Sequence, residues 1–336
     1  MKEILFVSKG LHAASTRYRA TDFFPLLEKS GWRPRHLSDC GSLRCRLALL
    51  NAARRAEVVV LVRRTYGPLF RFLLRRAARR LAFTFDDAIF CRSDGAASPR
   101  RARRFAATVA KCDLVWAGNR YLADEAGRFN RRVRVVPTAV ETERYRLQAA
   151  KPESTFDLVW IGSRSTKKHL LTILPALERA AERIAALRLK IVADFTLETR
   201  SLVVVPIPWS PEAEVRELAS AHVGLAPLPD NRFTRGKCGL KVLQYMAAGL
   251  PVVSSPTGVN SEMVEHGVTG LLARSEEEWI QALQLLRDSP ARRERFGEAG
   301  RKKCARHYAL QQAFAEMVKS LDELRPDGGG VLSSCP

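Results

Sequence analysis

Two lysines four residues apart, Lys237 and Lys241, lie where a glycine-containing loop opens a helix, in Arg235-Gly236-Lys237-Cys238-Gly239-Leu240-Lys241. At that spacing both ammonium groups share one helix face. The free N–H groups of such a loop and the positive end of the helix dipole point the same way, toward whatever sits in the crevice. A diphosphate is the apt guest, because the two cations would meet the negative charge that builds on a departing nucleoside diphosphate. Two solvated surface lysines are the plainer account of the same residues.

A second phosphate-suited segment is Trp160-Ile161-Gly162-Ser163-Arg164-Ser165-Thr166-Lys167-Lys168, a strand followed by a small-residue turn and a helix start. Ser165 or Thr166 could cap that helix while Ser163, Arg164 and Lys168 face the ligand; an ordinary capped helix is the alternative. Near the N-terminus, Ser8-Lys9-Gly10 ends a first strand and Ser15-Thr16-Arg17-Tyr18-Arg19 opens a helix. Arginines there oppose the helix dipole, at about 0.3–1 kcal/mol each, a cost that an anionic ligand at Arg17 and Arg19 would remove. Asp86 and Asp87 follow a buried strand at its carboxyl end, where ligands of open sheets bind. A carboxylate there could orient or deprotonate an acceptor hydroxyl. A helix cap or an ion pair with the abundant arginines would explain the same acids, and Asn119 reads as a cap.

The run from Arg235 through Gln244-Tyr245-Met246-Ala247-Ala248-Gly249-Leu250-Pro251-Val252-Val253, with Gly258-Val259-Asn260-Ser261-Glu262 and His266-Gly267-Val268-Thr269-Gly270 after it, resembles the donor half of the retaining GT-B glycosyltransferases of family four. The family pattern is a loop, a short helix ending in Met-Ala-x-Gly-x-Pro-Val, and a later glycine turn closed by Glu. The resemblance implies an α/β chain of two Rossmann-like, doubly wound parallel-sheet domains facing across a cleft. It also implies sugar transfer from a nucleotide-diphosphate sugar with retention and without a metal. Gly162, Ser163, Arg164 and Lys168 resemble the residues that hold the diphosphate in that family, Gly10 and Arg17 stand at its glycine loop, Asp86 stands where many members have a His on the transferred sugar, and Glu262 closes the turn. The chain departs from the family at its acidic pair, placing Gly236 and Gln244 where two Glu are usual. Gln244 keeps a hydrogen bond for the nucleotide ribose without charge assistance. Donor identity therefore does not carry over.

These residues need a scaffold, and 336 residues with 46% hydrophobic content suffice for two domains. Short β-branched runs alternate with helical periodicity: Ile4–Val7, a periodic stretch over Arg19–Lys29, Glu57–Val62, Leu81–Phe85, a helix opened by Ser98 and Pro99, Leu114–Ala117 and Val133–Val136. The pattern lapses near Pro137–Ser154 and restarts at Phe156–Ile161, then Leu189–Ala193, Leu202–Val205, Val223–Ala226 and Pro251–Ser254. The expected organisation is an acceptor domain over 1–150, a nucleotide-sugar domain over 151–326 whose last helix could pack back on the first, and a flexible tail over 327–336.

Charge divides unevenly. Residues 1–150 hold 31 Lys and Arg against 13 Asp and Glu, whereas the rest of the chain carries a net charge near +3 out of +21. The first half therefore expects an anionic partner, and the amphipathic basic run Pro68–Arg80 with Arg100, Arg101, Arg103 and Arg104 suggests an anionic membrane surface. No run of apolar residues is long enough to span a bilayer. Seven cysteines without paired metal-ligand spacing fit free thiols in the cytoplasm. The function expected is synthesis of cell-surface polysaccharide or glycoconjugate, on a glycan or lipid-linked acceptor. A catalytically inactive GT-B-like binding protein and a basic nucleic-acid-binding protein are the alternatives.

Overall fold

The computed structural model describes residues 2–11, 13–147 and 149–324, so the tail expected over 327–336 and Cys335 lie outside the described residues. The chain forms two compact units. The first takes the residues up to Cys91, Ala97–Pro137 and the chain from Gln311 onward, and the second takes Arg92–Ala96 and Thr138–Leu310. Against the expected boundary at 150, residues 138–150 join the second unit, as does the short loop 92–96.

The first unit holds a six-stranded parallel sheet of β1 (Lys2–Ser8), β2 (Trp32–Ser38), β3 (Val58–Val62), β4 (Leu81–Phe85), β5 (Leu114–Ala117) and β6 (Val133–Val135), in the order β2-β1-β3-β4-β5-β6. Its helices are α1 (Ala14–Arg19), α2 (Phe24–Lys29), α3 (Leu43–Arg55), α4 (Pro68–Ala77), α5 (Pro99–Val109) and α6 (Arg120–Gly127). β3 and β4 are buried at every position, as central parallel strands covered on both faces must be. β2 escaped the sequence reading because it is an edge strand, half-buried and interrupted by Arg33, Pro34 and Arg35. A proline survives there because an edge position has a side that owes no ladder hydrogen bond. The periodic stretch Arg19–Lys29 is not one helix: α1 ends at Arg19, a 3-10 turn covers Thr21–Phe23, and Pro25 starts α2 afresh.

The second unit repeats the design with β7 (Phe156–Ile161), β8 (Leu187–Val192), β9 (Val203–Ile207), β10 (Val223–Ala226), β11 (Val252–Ser254) and β12 (Gly270–Leu272), in the order β12-β11-β10-β7-β8-β9. Its helices are α7 (Lys167–Leu171), α8 (Leu174–Arg183), α9 (Pro211–Ala219), α10 (Leu240–Ala247), α11 (Asn260–Met263), α12 (Glu276–Asp288) and α13 (Pro290–His307), and α14 (Leu310–Asp322) follows, almost wholly in the first unit. β12 is three residues long, too short for a periodic signal. Each sheet reverses its winding once, between β1 and β3 and between β7 and β10, and ligands of such sheets bind beside the carboxyl ends of the strands at that reversal.

α10 is held by close backbone approach. A Cβ on Gly297 of α13 would run into the carbonyl oxygen of Gly249, which ends α10 at φ 71°. Gly297→Ala should therefore force α13 and α10 apart and cost about 1–3 kcal/mol, read as a lowered Tm in thermal unfolding. An unchanged Tm would show that the two backbones are free to separate.

The expectation of free thiols fails at one place. Cys40 and Cys45 form a disulfide, with Cα atoms 6.1 Å apart. The chain turns back on itself there, with Gly41 at φ 80° and Ser42 capping α3 through the Cys45 N–H at 3.2 Å, which brings the two sulfurs together. Cys91, Cys112, Cys238 and Cys304 are buried and stand outside any disulfide.

Candidate functional site

At the reversal of the second sheet, the segments after β7 and β10 carry the predicted cations, Lys168 on α7, Lys241 on α10 and Lys237 in the extended residue before it, so Lys237 and Lys241 do not share one helix face as their spacing suggested. Trp160, on β7, is fully buried, and Gly162 follows directly over it, since a Cβ on Gly162 would overlap the Trp160 ring. Lys241, half-buried on α10, holds its ammonium 4.1 Å from the centroid of the same ring. An indole face attracts a cation, which compensates part of the lost hydration. Burial, and then the nearby Lys237 charge, still lower the Lys241 pKa to about 7. Lys237 and Lys168 flank a second ring, their ammonium groups 4.8 and 5.9 Å from the centroid of Phe233. The aromatic platforms Trp160 and Phe233 were not foreseen. Gly239 begins α10 at φ 65°, without a side-chain cap, and its missing Cβ makes room for Met263.

The turn after β7 differs from expectation in detail. Neither Ser165 nor Thr166 caps α7. Thr166 instead accepts from the Ser163 N–H at 3.0 Å, closing the turn on itself. Arg164 is exposed and paired with Asp194, Nε to carboxylate 3.3 Å. Lys168 donates to the Ser93 carbonyl at 2.6 Å, so the 92–96 loop caps one of its protons. The structure thus gathers Gly162, Lys168, Lys237 and Lys241 around Trp160 and Phe233. Glu262 is exposed on α11, and Lys303 donates to its backbone carbonyl at 2.9 Å. A separate cavity of about 440 Å³ opens at the carboxyl ends of β10 and β11, between Leu228, Ser255, Thr257 and Trp279, and none of the lysines lines it.

Gln244 turns away from the surface. It is 3% exposed, and its Nε2 donates to the Tyr145 hydroxyl at 3.2 Å. Tyr145 donates in turn to Glu214 at 2.7 Å, and Trp209 donates to the other Glu214 oxygen at 2.9 Å. A buried carboxylate with two donors explains why position 244 carries an amide: a second acid would approach Glu214 through Tyr145 with no proton left to share. Gln244→Glu should lower stability by about 1–3 kcal/mol, and Glu214→Gln on top of it should restore much of the loss in a double-mutant cycle of thermal unfolding. Additive losses would separate the two residues.

In the first unit, Asp86 and Asp87 stand at the carboxyl end of β4 and meet Arg63, which follows β3. The guanidinium lies 2.7 Å from Asp87 and 3.5 Å from Asp86. Arg63 adopts φ 57°, unusual for a side chain with a Cβ, and its N–H donates to the Thr84 carbonyl at 2.8 Å. Asp87 is buried. One Asp86 oxygen is also buried and has no hydrogen bond among the described residues, the Arg63 guanidinium lying at the longer distance from it. The pair is therefore an ion-pair cluster in which Asp87 is anchored and Asp86 keeps an acceptor to spare.

Two arginines do something else. Arg19 is 1% exposed and donates to Thr84 Oγ1, to the Val136 carbonyl and to the Trp116 carbonyl. It satisfies carbonyls where β5 and β6 end and a hydroxyl on β4, so it pins the first sheet and is withdrawn from any ligand. Arg17 pairs with Asp22 at 3.6 Å and stacks on Tyr18 at 5.0 Å. Gly10 accepts from Thr16 at 2.8 Å and donates to Ser8 Oγ at 3.1 Å, in a network that includes His36 Nε2 at 2.8 Å. That serine–threonine–histidine network had no signal in the sequence, since its members come from three separate elements. Asn119 caps α6 through the Leu122 N–H, as read from the sequence.

Residues 155–288 match the family described as Glycosyl transferases group 1. No curated protein matches the chain. Among solved structures the chain is similar to HepE of Anabaena, crystallised with UDP and glucose, at 13% identity and a TM-score of 0.71 over 96% of this chain and 100% of that one. It is also similar to a glycosyltransferase of Rickettsia africae, at 12% identity and a TM-score of 0.74 over 97% and 99%. The lipopolysaccharide outer core galactosyltransferase WaaB aligns at 10% identity and a TM-score of 0.65 over 96% and 99%. At these identities the likeness is one of fold, the GT-B fold of two Rossmann-like units.

Proposed function

We propose that this chain, whose residues 155–288 match the group 1 glycosyltransferases, transfers a sugar from a UDP-sugar to a glycan or lipid-linked acceptor, with retention, in the synthesis of a cell-surface glycan or glycoconjugate. The observation that carries the donor side is the gathering of Lys168, Lys237 and Lys241 on the two aromatic rings at the reversal of the second sheet. Three ammonium groups there answer the charge of a diphosphate, which grows as the sugar departs. UDP is favoured because HepE, of the same fold, is crystallised with it. Asp86 takes the acceptor or the transferred sugar in the first unit, with Asp87 and Arg63 holding its backbone segment in place. The acceptor is reached on the cytoplasmic face of an anionic membrane, a reading supported by the charge of residues 1–150.

A panel of nucleotide sugars tested for protection against thermal unfolding checks the donor. The cognate UDP-sugar at about 100 times its Kd should add about 2.7 kcal/mol to stability. If no UDP-sugar moves the transition, the donor assignment falls. Transfer to an added acceptor separates an enzyme from a protein that only binds.

A further inference from the structure

One face of the first unit carries apolar side chains that its core does not use. Leu43 and Leu47 stand one turn apart on α3, and Leu69, Phe72 and Leu73 follow the i, i+3, i+4 spacing on α4. All five are between 41% and 74% exposed. The core side of α4 is already supplied by Phe70 and Leu74, both buried, so this helix is apolar on two faces. α3 and α4 pack together, and the Arg46 guanidinium lies 5.4 Å over the Phe70 ring between them. The two stripes therefore belong to neighbouring helices, and an apolar surface shared in this way marks a contact with something else.

The charge around it says what. Residues 39–80 contain eleven arginines, with Asp39 and Glu57 as their only acids. Asp39 is taken by Arg64 at 2.7 Å, and Glu57 by Arg80 at 2.5 Å and Arg79 at 3.4 Å. Arg75 is likewise spent, on Asp113 and the Ala78 carbonyl, so the run Arg75–Arg80 is not a free basic patch as a whole. Arg44, Arg55 and Arg76 are exposed and have no ion pair among the described residues. Arg76 follows Leu69, Phe72 and Leu73 on the same helix face, one turn after Phe72.

We propose that the α3–α4 face of the first unit docks on an anionic lipid bilayer, with Leu43, Leu47, Leu69, Phe72 and Leu73 entering the headgroup region and Arg44, Arg55 and Arg76 meeting lipid phosphates. Apolar residues beside unpaired cations match a surface that offers both acyl chains and negative charge. A nucleic acid would use the arginines and leave the leucines wet; an apolar protein partner would leave the arginines unanswered. The inference rests on the membrane-side acceptor and names the surface that reaches it.

The test is sedimentation of the full chain with phosphatidylglycerol–phosphatidylcholine vesicles and with pure phosphatidylcholine vesicles, at low and high salt. The wild type should bind the mixed vesicles at least about tenfold better than the neutral ones, and added salt should weaken it. Phe72→Ser with Leu73→Ser should reduce binding about fivefold or more, and Arg44→Gln with Arg76→Gln should flatten the salt dependence. Thermal unfolding with and without the nucleotide sugar, run on the same samples, shows that each variant is folded and binds its donor. The proposal fails if the wild type stays in the supernatant, if it binds neutral vesicles equally, or if the Phe72 and Leu73 variant binds like wild type. It also fails if the wild type is a dimer without vesicles and that variant a monomer, since the face would then serve self-association. Loss of vesicle binding with donor protection kept overturns the docking surface alone, and the converse overturns the donor reading alone.

Discussion

Asp86→Asn is expected to lower turnover by about 10²- to 10⁴-fold while leaving nucleotide-sugar affinity within about twofold, the range seen when a positioned acid–base or orienting group is removed. Asparagine keeps the shape and loses the charge, and the contact with Arg63 at 3.5 Å is long enough for the segment to stay in place. The neighbouring acid is the internal control. Asp87 is buried and bound to Arg63 at 2.7 Å, so Asp87→Asn should appear first as lost stability, of about 1–3 kcal/mol, because a half-buried guanidinium loses the nearer of its two carboxylates. Steady-state kinetics with a natural acceptor, beside thermal unfolding of both variants, distinguishes the two. Unchanged turnover in Asp86→Asn would return that residue to a structural role.

The second large effect belongs to Lys241. Lys241→Met should weaken nucleotide-sugar binding by about 1.5–3 kcal/mol, or roughly 10- to 150-fold, the worth of a charge-assisted hydrogen bond to phosphate. Its pH dependence is a sharper sign. In the empty protein Lys241 loses its proton at about 7, against an ordinary 10.5. The diphosphate of a nucleotide sugar is esterified at both ends and keeps its charge through this range, so binding it raises the lysine pKa. Donor affinity is then full below about 7 and falls as pH rises from there to the pKa of the complex, with proton uptake on binding between the two. For stability the sign is opposite: between about 7 and 10.5 the unfolded chain holds the extra proton, so the empty protein gains stability with pH across that window. Calorimetry in buffers of different ionisation enthalpy reads the proton directly, and Lys241→Met should abolish both dependences. A wild-type affinity flat across neutrality would place the diphosphate elsewhere.

Which parts were legible in the sequence follows from how local their causes are. β3, β4 and β7 announce themselves because both faces are buried and every residue obeys one demand. β2 obeys two demands, a core on one side and water on the other, and its arginines and Pro34 hide it. Lys237 and Lys241 were readable as a pair from their spacing alone, although Lys237 stands in extended backbone before α10 and shares no helix with Lys241. Trp160 was not, because it reaches Lys241 across separate elements, and Phe233, though only four residues before Lys237, meets Lys168 from a distant helix. Arg63 joins the acid pair from a different strand end, and nothing in its neighbourhood along the chain forecasts a left-handed φ. Arg19 shows the reverse error: arginines opening a helix suggested a ligand, whereas the sheet ends supplied carbonyls enough to bury one of them. Gln244 looked like a weakened ligand, whereas its amide donates into a buried network around the Glu214 carboxylate.

The helix α14 joins the beginning of the chain to its end. Trp116 of β5 donates its indole N–H to Ser320 at 2.8 Å, and Arg134 of β6 pairs with Glu323 at 2.7 Å, so the first unit draws one of its walls from residues some two hundred positions downstream. On the ribosome the order of synthesis and the order of completion must therefore differ. The six strands of the first sheet emerge before any residue of the second unit that follows them, yet the Trp116 indole has no Ser320 to meet until the whole second sheet has been made. The unit that begins first is thus finished last, its wall waiting on residues made after the whole second sheet.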